Sequence, residues 1–364
     1  MIMTNFFKAA AVTALISMFW SCTEDVTVPD DGIRPSGSAV KGFYLLNEGS
    51  WGHNNATLDY FDLSSGTYTR DCFSTANPDL EYGLGDVGND IFISGDLLFI
   101  IMNSSNIVEI ASASDARHIA EVPVPNCRYG TVADGFLYVT SYADDGTLYK
   151  ISLDGYKIEG TLKVGYEPEQ LHYHDGFIYV LNSGGYHAPD YDDTITVVDT
   201  ETFTVEKTVQ TGFRNLSKII CMGDVEYITS AGDYGEDPGA VFSYDPASGE
   251  ISLIHGQSVS NWCLFGDIIY TQSTTYDESW DATASFGTIK DAVFSDSDFL
   301  DLEGISLKSC YGLAANPETG EFVVCDAGDY TAEGSVYYFN ADGSLSWSHT
   351  AGVCPSKVCW VYSE

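Results

Sequence analysis

The chain has 364 residues, 53 of them acidic and 15 basic, for a formal net charge of −38. That imbalance argues against nucleic acid as a partner, because phosphates would be repelled, and against electrostatic docking on anionic lipid. It suits an exported, soluble protein and names no ligand.

Residues 1–21 read as an export signal. Lys8 supplies its positive charge, and an apolar run from Ala9 to Trp20 follows. The run is short of the about 20 residues that span a bilayer. It ends at Ser21-Cys22, and a small residue before cysteine suits lipoprotein signal peptidase. Cys22 is therefore the expected lipidation site, although Phe19 and Trp20 depart from the usual Leu-Ala/Ser-Gly pattern. Residues 22–40 are polar and rich in Asp, Gly and Pro, the composition of a flexible tether.

Residues 41–364 carry one motif seven times: a short aromatic or aliphatic strand, a polar loop, then a second strand. The copies begin at Phe43, Leu97, Phe136, Phe177, Val225, Ile268 and Phe322, roughly 39 to 54 residues apart, the period of a β-propeller blade. In the copy at Phe136, FLYVTS alternates as a half-buried strand does, Ala143 to Gly146 turn, TLYKISL returns, and KIEGTLKV follows as an outer strand. LHYH then opens the next unit as its inner strand. Each copy thus begins on the second strand of a blade, and the first blade lacks an inner strand. KVCWVY, Lys357 to Tyr362, is expected to supply it by pairing with FYLLN near Phe43. The expected fold is all-β: a seven-bladed β-propeller of four-stranded antiparallel blades, closed by the C-terminal strand.

Besides Cys22 there are eight cysteines: Cys72, Cys127, Cys221, Cys263, Cys310, Cys325, Cys354 and Cys359. None forms a CxxC pair, so a zinc cluster is not expected, and most should be buried thiols with one or two bridges.

In such a blade, the loops joining second to third strands and those joining blades share one face. The first set includes NEGSWGHNNA, NSGGYHAPDYDD, SAGDYGEDPG, QSTTYDESWDATASFG and DAGDYTAEG, and the second PNCRYG, GYEPEQ, TGFRNLSK, SNWCLF and SCYG. Length, aromatics and Asn concentrate there, as on a recognition surface. His53 and His187 occupy equivalent positions in two of these loops. His172 and His174, two apart on one strand, share a face as a metal pair would, yet no third ligand is evident and packing histidines are the expectation. No metal site is expected from the Asp-rich loops, which lack EF-hand spacing. No nucleophile motif or phosphate-binding glycine loop stands out.

The YV-x-NSG blade start, the opening LNEGSWGHNNATLDYFD and the lipoprotein leader resemble YncE-like seven-bladed propellers, most closely the BtuG-type surface lipoproteins of gut bacteria. The Glu24-Asp25 pair is similar to the acidic signal that sends such lipoproteins to the outer face of the outer membrane. The resemblance implies a lipid-anchored, non-catalytic protein facing the cell exterior. It would capture cobalamin, cobinamide or a related corrinoid and pass it to a TonB-dependent transporter of the BtuB type. It implies no resident cofactor. A corrinoid is broad, flat and fringed with amides, so its site needs amide partners and flat apolar patches. Loop position offers Asn54, Asn55, Asn215 and Asn261 for the amides. The same criterion offers Trp51, Tyr129, Tyr166, Tyr186, Trp262 and Tyr311 for the ring, His53 and His187 as hydrogen-bond donors or a metal ligand, and Arg128 and Arg214 for a phosphate or amide oxygen. Two other classes stay open. A lactonase-type hydrolase on the same fold would use carboxylates such as Glu48, Asp86 or Glu167, and a surface lipoprotein of the third class would bind glycan or protein.

Overall fold

A computed structural model describes residues 39–276 and 282–363. The leader, Cys22, most of the tether and part of the sixth-blade loop lie outside the described residues. The described residues fold as 28 strands, numbered β1–β28 in order, in seven four-stranded antiparallel sheets. Among the described residues, helix is confined to one five-residue segment, Cys72–Ala76, and a single 3₁₀ turn, Ala143–Asp145.

The second strands start where the repeats do. β5 (Leu97–Met102), β9 (Phe136–Ser141), β13 (Phe177–Asn182), β17 (Val225–Ser230), β21 (Ile268–Tyr276) and β25 (Phe322–Asp326) begin on the motif's first residue, and β1 (Val40–Asn47) begins three residues earlier. β9 is buried on both faces rather than half-buried, because each sheet is stacked between two neighbours. Alternation toward solvent belongs to the outer strands, as in β11 (Lys157–Lys163). The core is accordingly a series of apolar layers between blades. Phe92, Phe99, Leu137, Val139 and Ile151 form one such layer between the second and third sheets, each side chain contributing about 1.5–3 kcal/mol by burial.

β28 (Pro355–Tyr362) supplies the missing inner strand. It pairs antiparallel with β1, Tyr44 opposite Cys359 and Leu45 opposite Val358. The ring therefore closes as expected, with the strand two residues longer than KVCWVY. Where β24 (Cys310–Ala315) passes β28, a Cβ on Gly312 would lie 2.2 Å from the Ser356 carbonyl oxygen. Only glycine permits that approach.

The remaining inner strands are β4 (Gly88–Ser94), β8 (Cys127–Ala133), β12 (Pro168–His174), β16 (Leu216–Met222) and β20 (Asn261–Phe265). Segments read as interblade loops, PNCRYG, SNWCLF and SCYG, in fact begin strands β8, β20 and β24. In six blades the pairing of inner and second strand slips at the start of the inner strand or, for β28, opposite the end of β1. β20 alone pairs with its neighbour in regular register. Bulges of this kind turn side chains out of the ladder. Here they present Asn89, Arg128, Tyr129, Glu169, Gln170, Lys218 and Tyr311 at one end of the ring. Side chains at this end also tie blades together. Ile219 N–H donates to Gln170 Oε1 at 2.9 Å, Thr140 Oγ1 to the Glu169 carbonyl at 2.9 Å, and Asn261 Nδ2 to the Cys310 carbonyl at 3.3 Å.

Two further expectations are corrected. QSTTYDESWDATASFG is mostly hairpin, not loop: β21 continues to Tyr276 and pairs with β22 (Ala282–Lys290) through Ser273–Ser285 and Thr275–Thr283. The β propensity of its Ser, Thr and Tyr residues lets it extend the ladder. The eight cysteines from Cys72 to Cys359 are free thiols, without the one or two bridges expected. Most of them sit among apolar side chains as small hydrophobes, whereas Cys221 stands beside His172 and Glu226.

Candidate functional site: the loop face and channel mouth

Among the described residues, the large exposed aromatics are all on one face. Trp51 (β1–β2 loop), Tyr186 (β13–β14) and Tyr234 (β17–β18) are 80%, 82% and 79% exposed. Tyr330, in the β25–β26 loop, and Tyr82 and Tyr166, just before β4 and β12, are exposed as well. Apart from Leu80, the large exposed aliphatics of the described residues, such as Ile158, Val205 and Leu253, instead lie on outer strands. An apolar ring with a polar tip, repeated around one rim, is the composition of a recognition surface.

Aspartate and asparagine hold these loops in shape. Asp192 accepts from Tyr166 N–H at 2.9 Å and from Thr194 N–H at 2.9 Å. Asp86 accepts from Gly52 N–H at 2.7 Å, and Asn55 from Ser50 N–H at 2.8 Å. Asp233 accepts from Gly235 and Asp237, and Asp329 from Thr331 and Ala332. The Ala332 and Thr331 N–H groups draw Asp329 down to about 2, and those of Asp237 and Gly235 lower Asp233. These loop acids therefore act as internal staples of the loops.

Inside the rim, the bulged strand starts form a charged mouth. Arg128 Nη2 meets both carboxylate oxygens of Glu169, at 3.1 and 3.0 Å, and its guanidinium lies over the Tyr142 ring at 4.8 Å. Tyr142 also donates to Glu169. Tyr311 donates to Glu48 at 2.8 Å, and burial raises the Glu48 carboxyl above its ordinary range. Lys357 Nζ lies 5.8 Å from the centre of the Tyr129 ring. Lys218 donates to the Ser260 carbonyl, and burial, with Lys357 nearby, brings its amine down to about 7. Glu169, Tyr142, Lys218 and Lys357 were not singled out from the sequence. Their signal was position, near the start of an inner strand or at the turn facing one, which is visible only once strand and bulge are located.

The residues offered by loop position thus separate into three groups. Trp51, His53, Asn54, Tyr166, Tyr186, His187 and Arg214 lie on the rim. His187 Nδ1 is 2.8 Å from Glu167 Oε2 and its ring packs on Tyr166, centroids 4.1 Å apart. His53 Nδ1 turns back to the Trp51 carbonyl at 3.1 Å, and Arg214 pairs with Asp237 at 3.3 Å. Arg128, Tyr129 and Tyr311 form the mouth, where Arg128 is a strand residue held by Glu169 rather than a free loop cation. Asn55, Asn215, Asn261 and Trp262 serve the scaffold. Asn215 donates to the Gly232 carbonyl at 3.2 Å, Asn261 to Gln272 at 2.8 Å, and Trp262 packs in the core with Tyr227, Val241 and Ile269. The carboxylates Glu48, Asp86 and Glu167 each bind a different partner, Tyr311, Gly52 and His187.

Comparison with known proteins agrees with this architecture. No curated protein matches the chain. Hydrazine synthase of Kuenenia stuttgartiensis superposes with a TM-score of 0.63 at 19% identity, over 75% of this chain and 89% of that one. A putative 6-phosphogluconolactonase of Bacteroides fragilis gives 0.59 at 12% identity, over 91% and 100%. Apo AztD of Citrobacter koseri gives 0.56 at 11% identity, over 90% and 99%. At these identities the likeness is one of fold. The model for a domain of unknown function, DUF5074, matches residues 41–346, so the chain belongs to that family.

Proposed function

We propose that the protein is a lipid-anchored surface lipoprotein that captures a corrinoid, cobalamin or cobinamide, on its aromatic loop face and passes it to a TonB-dependent outer-membrane transporter. The observation that carries the binding half is the ring of exposed Trp51, Tyr82, Tyr166, Tyr186, Tyr234 and Tyr330 around one mouth. Such a surface offers flat apolar area over a wide span, while the Asn54 side chain and loop backbone groups are available to amides. Arg214 at the rim, with Lys218 and Lys357 at the mouth, suits a ligand that also bears a phosphate. The anchor at Cys22 and the transporter partner rest on the leader and on the resemblance to BtuG-type lipoproteins.

Titration with cobalamin and cobinamide tests this directly, following the ligand's visible absorbance through gel filtration. A coloured protein peak at one corrinoid per chain is expected. A colourless peak at micromolar protein with ligand in excess removes the corrinoid. A lactonase-type hydrolase is the second reading, favoured by one feature: the raised carboxyl of Glu48 in the mouth, a shift that general acids also carry. Lactone hydrolysis abolished by Glu48→Gln would establish it in place of capture.

A further inference from the structure

At the end of the ring opposite the aromatic rim, where tight turns join the inner and second strands, three potential ligands meet across two blades. His172 lies on β12, and Cys221 on β16 faces its cross-strand partner Glu226 on β17. One donor atom from each lies within 4.8 Å of the others. His172 Nδ1 stands 2.9 Å from Glu226 Oε1. Glu226 is wholly buried, and its second oxygen, Oε2, has no hydrogen-bond partner. A buried carboxylate oxygen left unpaired calls for a cation or a strong donor. A water would satisfy that oxygen, but it would not account for a thiol and an imidazole gathered around it. A fourth donor is adjacent, His174 Nδ1 lying 3.9 Å from Cys221 Sγ.

We propose that His172, Cys221 and Glu226 bind one divalent transition cation of the zinc type, with His174 on its solvent side. Thiolate and imidazole donors select such a cation over calcium or magnesium, which take oxygen. Loading releases the Cys221 thiol proton, which the thiol now shares with the Gly223 carbonyl at 3.1 Å, to solvent. All three ligands stand on strands, so the site is held by the sheet ladders and not by mobile loops. The sequence showed His172 and His174 as a pair; the other two ligands come from the next blade, about 50 residues on, a separation no local motif reveals. The site is remote from the aromatic face and stands or falls independently of corrinoid binding.

Cobalt(II) is the probe. The full chain, reduced and stripped with a chelator, should bind one cobalt and develop a thiolate-to-cobalt charge-transfer band that zinc abolishes. Cys221→Ser should lose that band, and Glu226→Gln should weaken binding by about tenfold or more. Zinc should raise the melting temperature of the wild-type chain but not that of Cys221→Ser. If the folded wild-type chain gives no charge-transfer band, the site is overturned. A band that survives in Cys221→Ser would overturn it equally, by placing the metal on another thiol. The wild-type titration decides even if a variant fails to fold.

Discussion

Trp360, on the last strand, stands directly opposite Phe43 on the first, their rings 5.4 Å apart and crossed edge to face at 68°. Phe43 also stacks on Tyr338 and Trp347 of the seventh blade, so the seam joins both ends of the chain to a common aromatic cluster. Removing residues 355–364 should expose the edges of β1 and its neighbours and lead to aggregation, seen as loss of the monomer peak on gel filtration. Phe43→Ala should cost about 3–5 kcal/mol in a denaturant melt, the usual range for a fully buried aromatic. Gly312→Ala, which sets a methyl against the Ser356 carbonyl, should cost about 1–3 kcal/mol. A truncated chain that stays monomeric with an unchanged melt would mean the seam does not hold the ring.

The aromatics of this protein do two jobs, and substitution separates them. Trp51 and Tyr186 stand in solvent, so replacing either by alanine should change stability by no more than about 0.5 kcal/mol. The same changes should weaken corrinoid binding by about 5–30-fold, the loss expected for an aromatic anchor in a binding surface. Trp262→Ala should do the reverse, costing about 3–5 kcal/mol of stability because its ring fills the layer with Val241 and Ile269. Calorimetric titration beside a thermal melt reads both. Should Trp51→Ala and Tyr186→Ala bind as tightly as the parent, the rim is not the site.

Which of these roles the sequence disclosed follows from how far each signal reaches. Blade starts such as Phe136 and Phe177 repeat a local pattern of strand, turn and strand, and the second strands begin there. The closing role of Lys357 to Tyr362 followed from counting strands, a global requirement with a local answer. Exposure was harder. Trp51 and Trp262 both occupy segments that read as loops on one face, yet one points to solvent and the other begins a strand of the core. A bulge or its absence decides that, as at Arg128 against Trp262, and bulges leave no composition mark. Contacts between blades, such as His172 with Glu226 or Arg128 with Glu169, were illegible because nothing in the chain's local pattern ties one repeat's register to the next.

Glu109 gives the second blade a pH response. It lies on β6 (Ile107–Ser112), almost fully buried, with His118 Nδ1 2.7 Å from its Oε1. Burial pushes its carboxyl up to about 7 from an ordinary 4.5, and the His118 hydrogen bond offsets only part of that. A carboxyl whose folded value is raised binds more protons in the folded than in the unfolded chain between those limits. Its contribution to stability is therefore full below about pH 4.5 and is lost as pH rises toward 7. Glu109→Gln keeps an acceptor for His118 and removes the titration. From pH 5.5 to 8 the parent should lose about 2 kcal/mol relative to Glu109→Gln. Parallel denaturant melts of the two proteins across that range would expose the error if their difference stayed constant.

Lys218 has the opposite sign and sits where a ligand would arrive. Its amine donates to the Ser260 carbonyl, and Asn261 Oδ1 lies 3.4 Å away. Burial and the neighbouring charge of Lys357 lower it to about 7 from 10.5. A depressed amine favours the fold above its unfolded value, and this contribution is lost as pH falls toward 7. Near pH 7.5 Lys218 should be largely neutral, whereas the lysine amine of a short model peptide is almost all charged. Limited labelling with an amine-reactive ester, mapped by peptide mass, should therefore show Lys218 reacting on the order of a thousandfold faster than its charge state alone would allow at an ordinary value. Its rate should level off above about pH 8, whereas that of the model peptide's lysine keeps rising toward pH 10. Lowering the pH through 7 restores a positive charge to the mouth. A phosphate-bearing corrinoid should then gain affinity over one without phosphate, and Lys218→Met should erase that gain. Labelling of Lys218 that follows the model peptide's lysine across the whole range would show that the mouth keeps its full charge at neutral pH.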